Sequence, residues 1–204
     1  MNRKLTTLLA GLVLALFGSS AWAGVSGSAH DLRGIILTET EICVVCHTPH
    51  NAQAVSGAPL WNHEVSTATY TLYSSATFNG AGSIVQPAGT SKLCLSCHDG
   101  TVALNNYGGV TTGAIGIAAA RNFGTDLSND HPISFTYDST LASADGGLND
   151  PGVDGASLVG GILLTGNKME CASCHDVHNV AAVAANLLRV SNAGSGLCLT
   201  CHTK

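Results

Sequence analysis

Every cysteine of the chain belongs to a Cys-x-x-Cys-His motif, and the motif occurs four times. The copies are Cys43–Cys46–His47, Cys94–Cys97–His98, Cys171–Cys174–His175 and Cys198–Cys201–His202. This spacing sets two thiols about one helical turn apart, with an imidazole directly behind them. It is the attachment signal for a c-type haem: each thiol forms a thioether with a vinyl group, and the histidine is delivered to one face of the iron. The motifs therefore predict four covalently held haem c groups and an electron-carrying chain. A zinc site built from two CxxC pairs has no use for a histidine after each pair. A disulfide framework has no reason to repeat one spacing four times.

The N-terminus supplies the compartment that haem attachment needs. Asn2, Arg3 and Lys4 form a short basic start, and Leu5 to Phe17 is an apolar run. That run is too short to span a bilayer comfortably. Ala21-Trp22-Ala23 is a small-x-small cleavage site. Residues 1–23 read as a secretory signal peptide, leaving residues 24–204 as one exported cytochrome domain with no membrane span. No cysteine follows the cleavage site to take a lipid.

Loss of Arg3 and Lys4 takes the formal net charge from −5 to −7. That balance excludes nucleic acid as a partner. Charged residues make up only 10% and aromatic residues 5% of the chain, too few for an ordinary side-chain core and a well-solvated coat. Four large flat cofactors are expected to provide much of the core. The expected fold is mostly irregular coil, with short helices and a few short strands, wrapped around a stack of four c-type haems. Helical turns are expected at each CxxCH. Strands are expected within residues 65–78 and around Ile133, Phe135 and Tyr137, and a helix over residues 177–190.

The motifs are of two kinds, in alternating order. The first and third continue to a second histidine, in CHTPHN at 46–51 and CHDVHN at 174–179. The second and fourth share another frame, KLCLSCH at 92–98 and GLCLTCH at 196–202. The chain thus reads as an internal repeat of two haem pairs, about 30–107 and about 131–204. An ungapped alignment of the units sets Leu60 opposite Leu188 and His63 opposite Ser191. Between them lies an insertion rich in Gly, Asn, Ser and Asp, roughly residues 100–168, with a turn signal at Asn149-Asp150-Pro151-Gly152.

The second axial ligand decides whether a haem only passes electrons or also binds substrate. After signal removal Met169 is the only methionine, two residues from Cys171. The chain has nine histidines, so five remain outside the motifs: His30, His50, His63, His131 and His178. Each unit has one histidine ahead of its first motif (His30, His131) and one three residues behind it (His50, His178). These four are the expected distal ligands beside the proximal His47, His98, His175 and His202. His63 has no counterpart and is a doubtful ligand, read as an ordinary surface or propionate-bonding histidine. His50 lies too close to His47 in sequence to reach the far face of the same iron, so it must serve another haem, and likewise His178. Bis-histidine ligation points to low-potential electron transfer.

Several segments together resemble a known family: Ser28-Ala29-His30-Asp31-Leu32, EICVVCHTPHNA, APLWN, YTLYSS, KLCLSCHDG, DHPISF, CASCHDVHN and LCLTCH. They resemble the doubled-CxxCH tetrahaem c-type cytochromes, and within these the extracellular tetrahaem filaments of metal-reducing bacteria. The resemblance implies four bis-histidine haems in alternating parallel and T-shaped pairs, and subunits stacked head to tail. It also implies that His50 ligates a haem of the adjacent subunit, expected to be the one on Cys198, Cys201 and His202. The partners would then be other copies of this chain, upstream cytochrome donors and extracellular electron acceptors. The expected location is extracellular or at the cell surface, with the periplasm as the alternative. A monomeric periplasmic shuttle and a multihaem reductase are the competing functions. No dedicated catalytic residues are expected.

Overall fold

The structure is a computed structural model that describes residues 24–152, 164–178 and 185–203. The expected signal peptide lies outside the described residues. Among the described residues no helix is long and apolar enough to cross a membrane.

Regular structure is sparse, as the sequence suggests. Four helices are described: α1 (Gly89–His98), α2 (Ser139–Asp145), α3 (Cys171–Cys174) and α4 (Gly196–Cys201). The strands β1 (Phe135–Thr136) and β2 (Lys168–Met169) form an antiparallel pair, with Phe135 opposite Met169 and Thr136 opposite Lys168. Helices α1, α3 and α4 carry the second, third and fourth haem motifs. The first motif is a turn closed by bonds to Cys43 O from Cys46 N at 3.2 Å and His47 N at 2.8 Å. The expected helical turns at the motifs are therefore present.

Two expected elements differ. Residues 65–78 form no strand, and their one ladder pairing is an isolated bridge from Thr71 to Asp126. The backbone there is occupied by side chains instead: Tyr70 N donates to Gln86 Oε1 at 2.8 Å, and Gln86 Nε2 returns a bond to Tyr70 O at 2.9 Å. The expected helix over residues 177–190 falls partly outside the described residues. Its described end is not α-helical, because Asn186 and Leu187 take left-handed φ of 61° and 57°. That conformation is unfavourable within a right-handed helix of L-residues.

The repeat is visible in the backbone. Thr48 N bonds Leu60 O at 2.9 Å, and Asp176 N bonds Leu187 O at 2.7 Å. Asn62 N bonds Cys46 O at 3.0 Å, and Arg189 N bonds Cys174 O at 2.8 Å. Leu60 and Leu187 share a left-handed φ, 55° and 57°. Leu60 thus corresponds to Leu187, one residue away from the ungapped alignment. Trp61 corresponds to Leu188, and His63 to Val190 rather than Ser191. The second unit closes the same loop with one residue fewer.

The apolar side chains gather in three small clusters rather than one core. Phe135, Tyr137, Leu141, Ala142, Leu164 and Met169 form the largest, against Leu197 and Cys201 of α4. Ile36, Val45 and Leu104 form a second, against Cys46 and Cys97, and Tyr70, Leu95 and Leu127 a third. The insertion has a structural task. Asn149 N bonds Cys201 O at 2.7 Å, and its side-chain amide reaches Leu199 O at 3.1 Å and Thr200 O at 3.0 Å. It thereby takes up carbonyls that the end of α4 cannot satisfy internally.

Helices α1 and α3 meet through their N-termini. Ala88, at the start of α1, has no side chain to cap it. Glu170 does so from the second unit, accepting from Ser91 N at 3.2 Å, while Ser91 Oγ accepts from Cys171 N at 3.0 Å. Glu170 also caps its own helix in a reciprocal box with Ser173. One carboxylate therefore holds two motif helices from different units. Glu170→Ala should lower stability by about 1–2 kcal/mol, the usual cost of a lost cap. Glu170→Gln, which keeps an acceptor oxygen, should lose less than half of that, as read by denaturant unfolding of the holoprotein.

Candidate haem centre

The chain orients three of the four proximal imidazoles before any metal is considered. His47 Nδ1 donates to Pro59 O at 2.8 Å, His98 Nδ1 to Arg121 O at 2.8 Å and His175 Nδ1 to Asn186 O at 2.9 Å. A carbonyl can only accept, so Nδ1 carries the proton and the Nε2 lone pair is left for a metal. The bond to Arg121 needs a close approach. Gly100, at φ 74°, lies where a Cβ would collide with the side-chain amide of Asn122. The neighbouring residue Asp99 is buried and accepts from Ser66 Oγ and Tyr70 OH, both at 2.6 Å, and from Thr101 N at 2.7 Å. Burial raises the Asp99 pKa, but these donors outweigh it and hold the carboxyl below its ordinary value. This network fixes the end of α1 behind His98.

The other histidines meet the proximal ones in pairs. The ring centroids of His30 and His98 are 6.1 Å apart, those of His47 and His178 6.1 Å, and those of His131 and His202 6.5 Å. Metal–imidazole bonds are about 2 Å long, so two rings on opposite faces of one iron have centroids about 6.3 Å apart. All three pairs match that spacing. The pairing also follows the repeat. The leading histidine of each unit meets the proximal histidine of its second motif (His30 with His98, His131 with His202). The trailing His178 crosses the unit boundary to His47.

The repeat-equivalent residues are left over. His175 corresponds to His47 and His50 to His178, and among the described residues neither His175 nor His50 has a facing imidazole. His50 is exposed at the tip of a tight turn, where Thr48 Oγ1 donates to His50 O at 2.9 Å and Asn51 takes φ 55°. His63 is buried at 1% exposure. Its Nδ1 lies 2.8 Å from Glu64 O and its Nε2 3.1 Å from Ala103 O, so the single N–H of the neutral ring donates to one of these two backbone carbonyls. Burial also pushes its pKa down.

The cysteines are suited to thioether formation. None of the eight is in a disulfide. Burial pushes Cys46 up to about 11 and Cys97 up to about 12, so both are neutral thiols rather than thiolates. A neutral S–H can add across a vinyl group, sulfur to one carbon and hydrogen to the other. At the α1–α3 junction Cys94 and Cys171 are neighbours. The hydrogen bond between them, with burial, keeps the Cys94 thiol protonated. Among the described residues no three His, Cys, Asp or Glu side chains gather as a metal site of their own.

Two buried polar atoms have no partner among the described residues, Nδ1 of His30 and Nε1 of Trp61. Both lie in the first unit, beside paired histidines. Leaving such a group unmade is unfavourable, so their presence indicates that a bound group supplies acceptors. Thiol spacing, oriented imidazoles, ring separations and orphaned N–H groups all fit haem c. When bound, haem c supplies a one-electron iron centre. The protein's own share would be to hold the haem through its motif cysteines and to present the oriented proximal imidazoles.

Residues 165–204 match the family model described as Doubled CXXCH motif. No curated protein matches the chain at a significant level. The match supports a multihaem c-type cytochrome that transfers electrons, with haem c attached at CxxCH.

If the facing rings flank an iron, His30→Ala, His131→Ala and His178→Ala should each create one high-spin iron that binds carbon monoxide. His63→Ala should create none. It should instead cost about 1–3 kcal/mol of stability by stranding a backbone carbonyl. Optical and EPR spectra of the four holoproteins check this.

Proposed function

We propose that the chain is an exported tetrahaem cytochrome whose bis-histidine haems carry electrons along an extracellular filament of its own copies. The observation that carries this reading is the pair of histidines left over by the repeat. Inside the chain, the trailing histidine of unit two (His178) faces the proximal histidine of unit one (His47). The same relation carried across a chain boundary sets His50 of the next copy on the iron held by His175. This differs from the sequence expectation, which gave His50 to the His202 iron. That iron is better served by His131, whose ring lies 6.5 Å from His202. A contact in which one end donates a ligand and the other end receives it is heterologous. It extends without closing unless its rotation returns on itself.

Along such a filament the haem on Cys94 and Cys97 and the haem on Cys171 and Cys174 would approach where Cys94 and Cys171 meet at the α1–α3 junction. Electrons would pass between the units there. Upstream cytochromes would feed the chain, and acceptors outside the cell would drain it. Multihaem c-type cytochromes are typically exported, in keeping with the N-terminal signal. The reductase reading gains one argument: a His175 iron with a free position in an isolated chain could take a small substrate. The monomeric shuttle gains none from the ring pairs.

His50→Ala separates these readings. Under the filament reading the variant stays monomeric by electron microscopy while the wild type polymerises, and it binds one carbon monoxide per chain. Filaments of His50→Ala, or a monomeric wild type that binds small ligands at one iron, would contradict the filament reading. The second outcome would favour the reductase.

A further inference from the structure

Trp61 is 8% exposed, and its indole N–H is one of the two buried polar atoms without a partner. The backbone around it is fully engaged. Gln53 N donates to Trp61 O at 2.7 Å, Asn62 N donates to Cys46 O at 3.0 Å, and the Asn62 amide reaches Val44 O at 2.5 Å. Trp61 is therefore held in place by its neighbours, and its N–H is not needed to hold it. The indole packs edge-on against His47 with centroids 6.2 Å apart, and against His63 at 6.5 Å. Neither ring offers it an acceptor. Neither nitrogen of His63 lies within hydrogen-bond reach of the indole N–H, and the Nδ1 of His47 is taken by Pro59 O. The missing acceptor must come from the group that His47 serves, and the acceptors a haem carries at its rim are two propionate carboxylates.

We infer that the Trp61 N–H binds a propionate carboxylate of the haem attached at Cys43 and Cys46. This rests on the haem reading above and adds a contact to it. An N–H aimed at an ionised carboxylate is a charge-assisted bond, stronger than one to a neutral oxygen. It favours the charged propionate and fixes the rotation of that porphyrin edge. The contact also distinguishes the two units. Leu188 occupies the matching backbone position in the second unit and has no donor, so the equivalent propionate beside His175 lacks this bond.

The chain has two tryptophans, Trp22 and Trp61, and Trp22 lies in the expected signal peptide. The exported holoprotein then gives a single-tryptophan signal. Ultraviolet resonance Raman spectra of the wild-type holoprotein should show the indole N–H band shifted to the position of a strong hydrogen bond. A band at the free-indole position would overturn the inference. Infrared difference spectra of Trp61→Phe against wild type should show one carboxylate stretch displaced. That band should move again when the haem propionates alone are labelled with carbon-13. A strong indole hydrogen bond whose difference band ignores the haem label would assign the acceptor to protein or water and overturn the inference. If the haem reading itself fails, no haem label enters the protein at all, a result distinct from either.

Discussion

Three pairs of imidazoles lie 6.1, 6.1 and 6.5 Å apart by ring centroid, the separation that an iron between them would impose, and the turns and motif helices of the fold hold them there. The side-chain clusters are small, and no sheet wider than two short strands is described. Such a chain cannot hold itself in place by burial of its own apolar groups. It holds histidines instead, with His47, His98 and His175 fixed from behind by a backbone carbonyl and three proximal rings faced by a second ring. The turns that present those carbonyls need left-handed residues such as Leu60 and Leu187, which an unsupported chain would avoid. Their strain is sustained by the surrounding hydrogen bonds, and the same turn recurs in both units.

Among the described residues the duplication leaves His50 and His175 without a facing ring. A repeat in which each unit ligates the unit before it always leaves one donor at the start and one receiver at the end. In the proposed filament His50 would be that donor and His175 that receiver. The junction between units shows the same economy. Glu170 caps a helix of each unit, and Ser91 returns the bond, so the spacing of two motif helices rests on a few atoms close to Cys94 and Cys171. The insertion between the units supplies His131 and then anchors α4 through Asn149.

Much of the site was legible because haem attachment uses a contiguous motif. The four CxxCH motifs, the two motif types and the choice of His30, His50, His131 and His178 over His63 follow from spacing and repeat alone. Which ring meets which was not legible, because ring pairing depends on how the units pack. The one-residue difference in the loop after the first motif type was hidden by similar residues, Leu187 and Leu188, side by side. The strand expected over residues 65–78 failed because Tyr70 and its neighbours bond to Gln86 and Asp99 rather than to another strand. Glu170 gave no signal: an acidic residue before a motif cysteine looks like an ordinary surface charge until α1 is set against it. Trp61 read as one more apolar residue, and its unpaired N–H appeared only with the surrounding bonds counted.

The central claim is that three irons are closed within one chain and the fourth is closed by the next copy. Carbon monoxide binding to the reduced wild-type protein measures this directly, in assembled form and after dissociation to single chains. The account predicts no binding iron per chain in the assembly and one per chain once separated. Separated chains with no binding iron would mean that every ligand is supplied internally, and would contradict it.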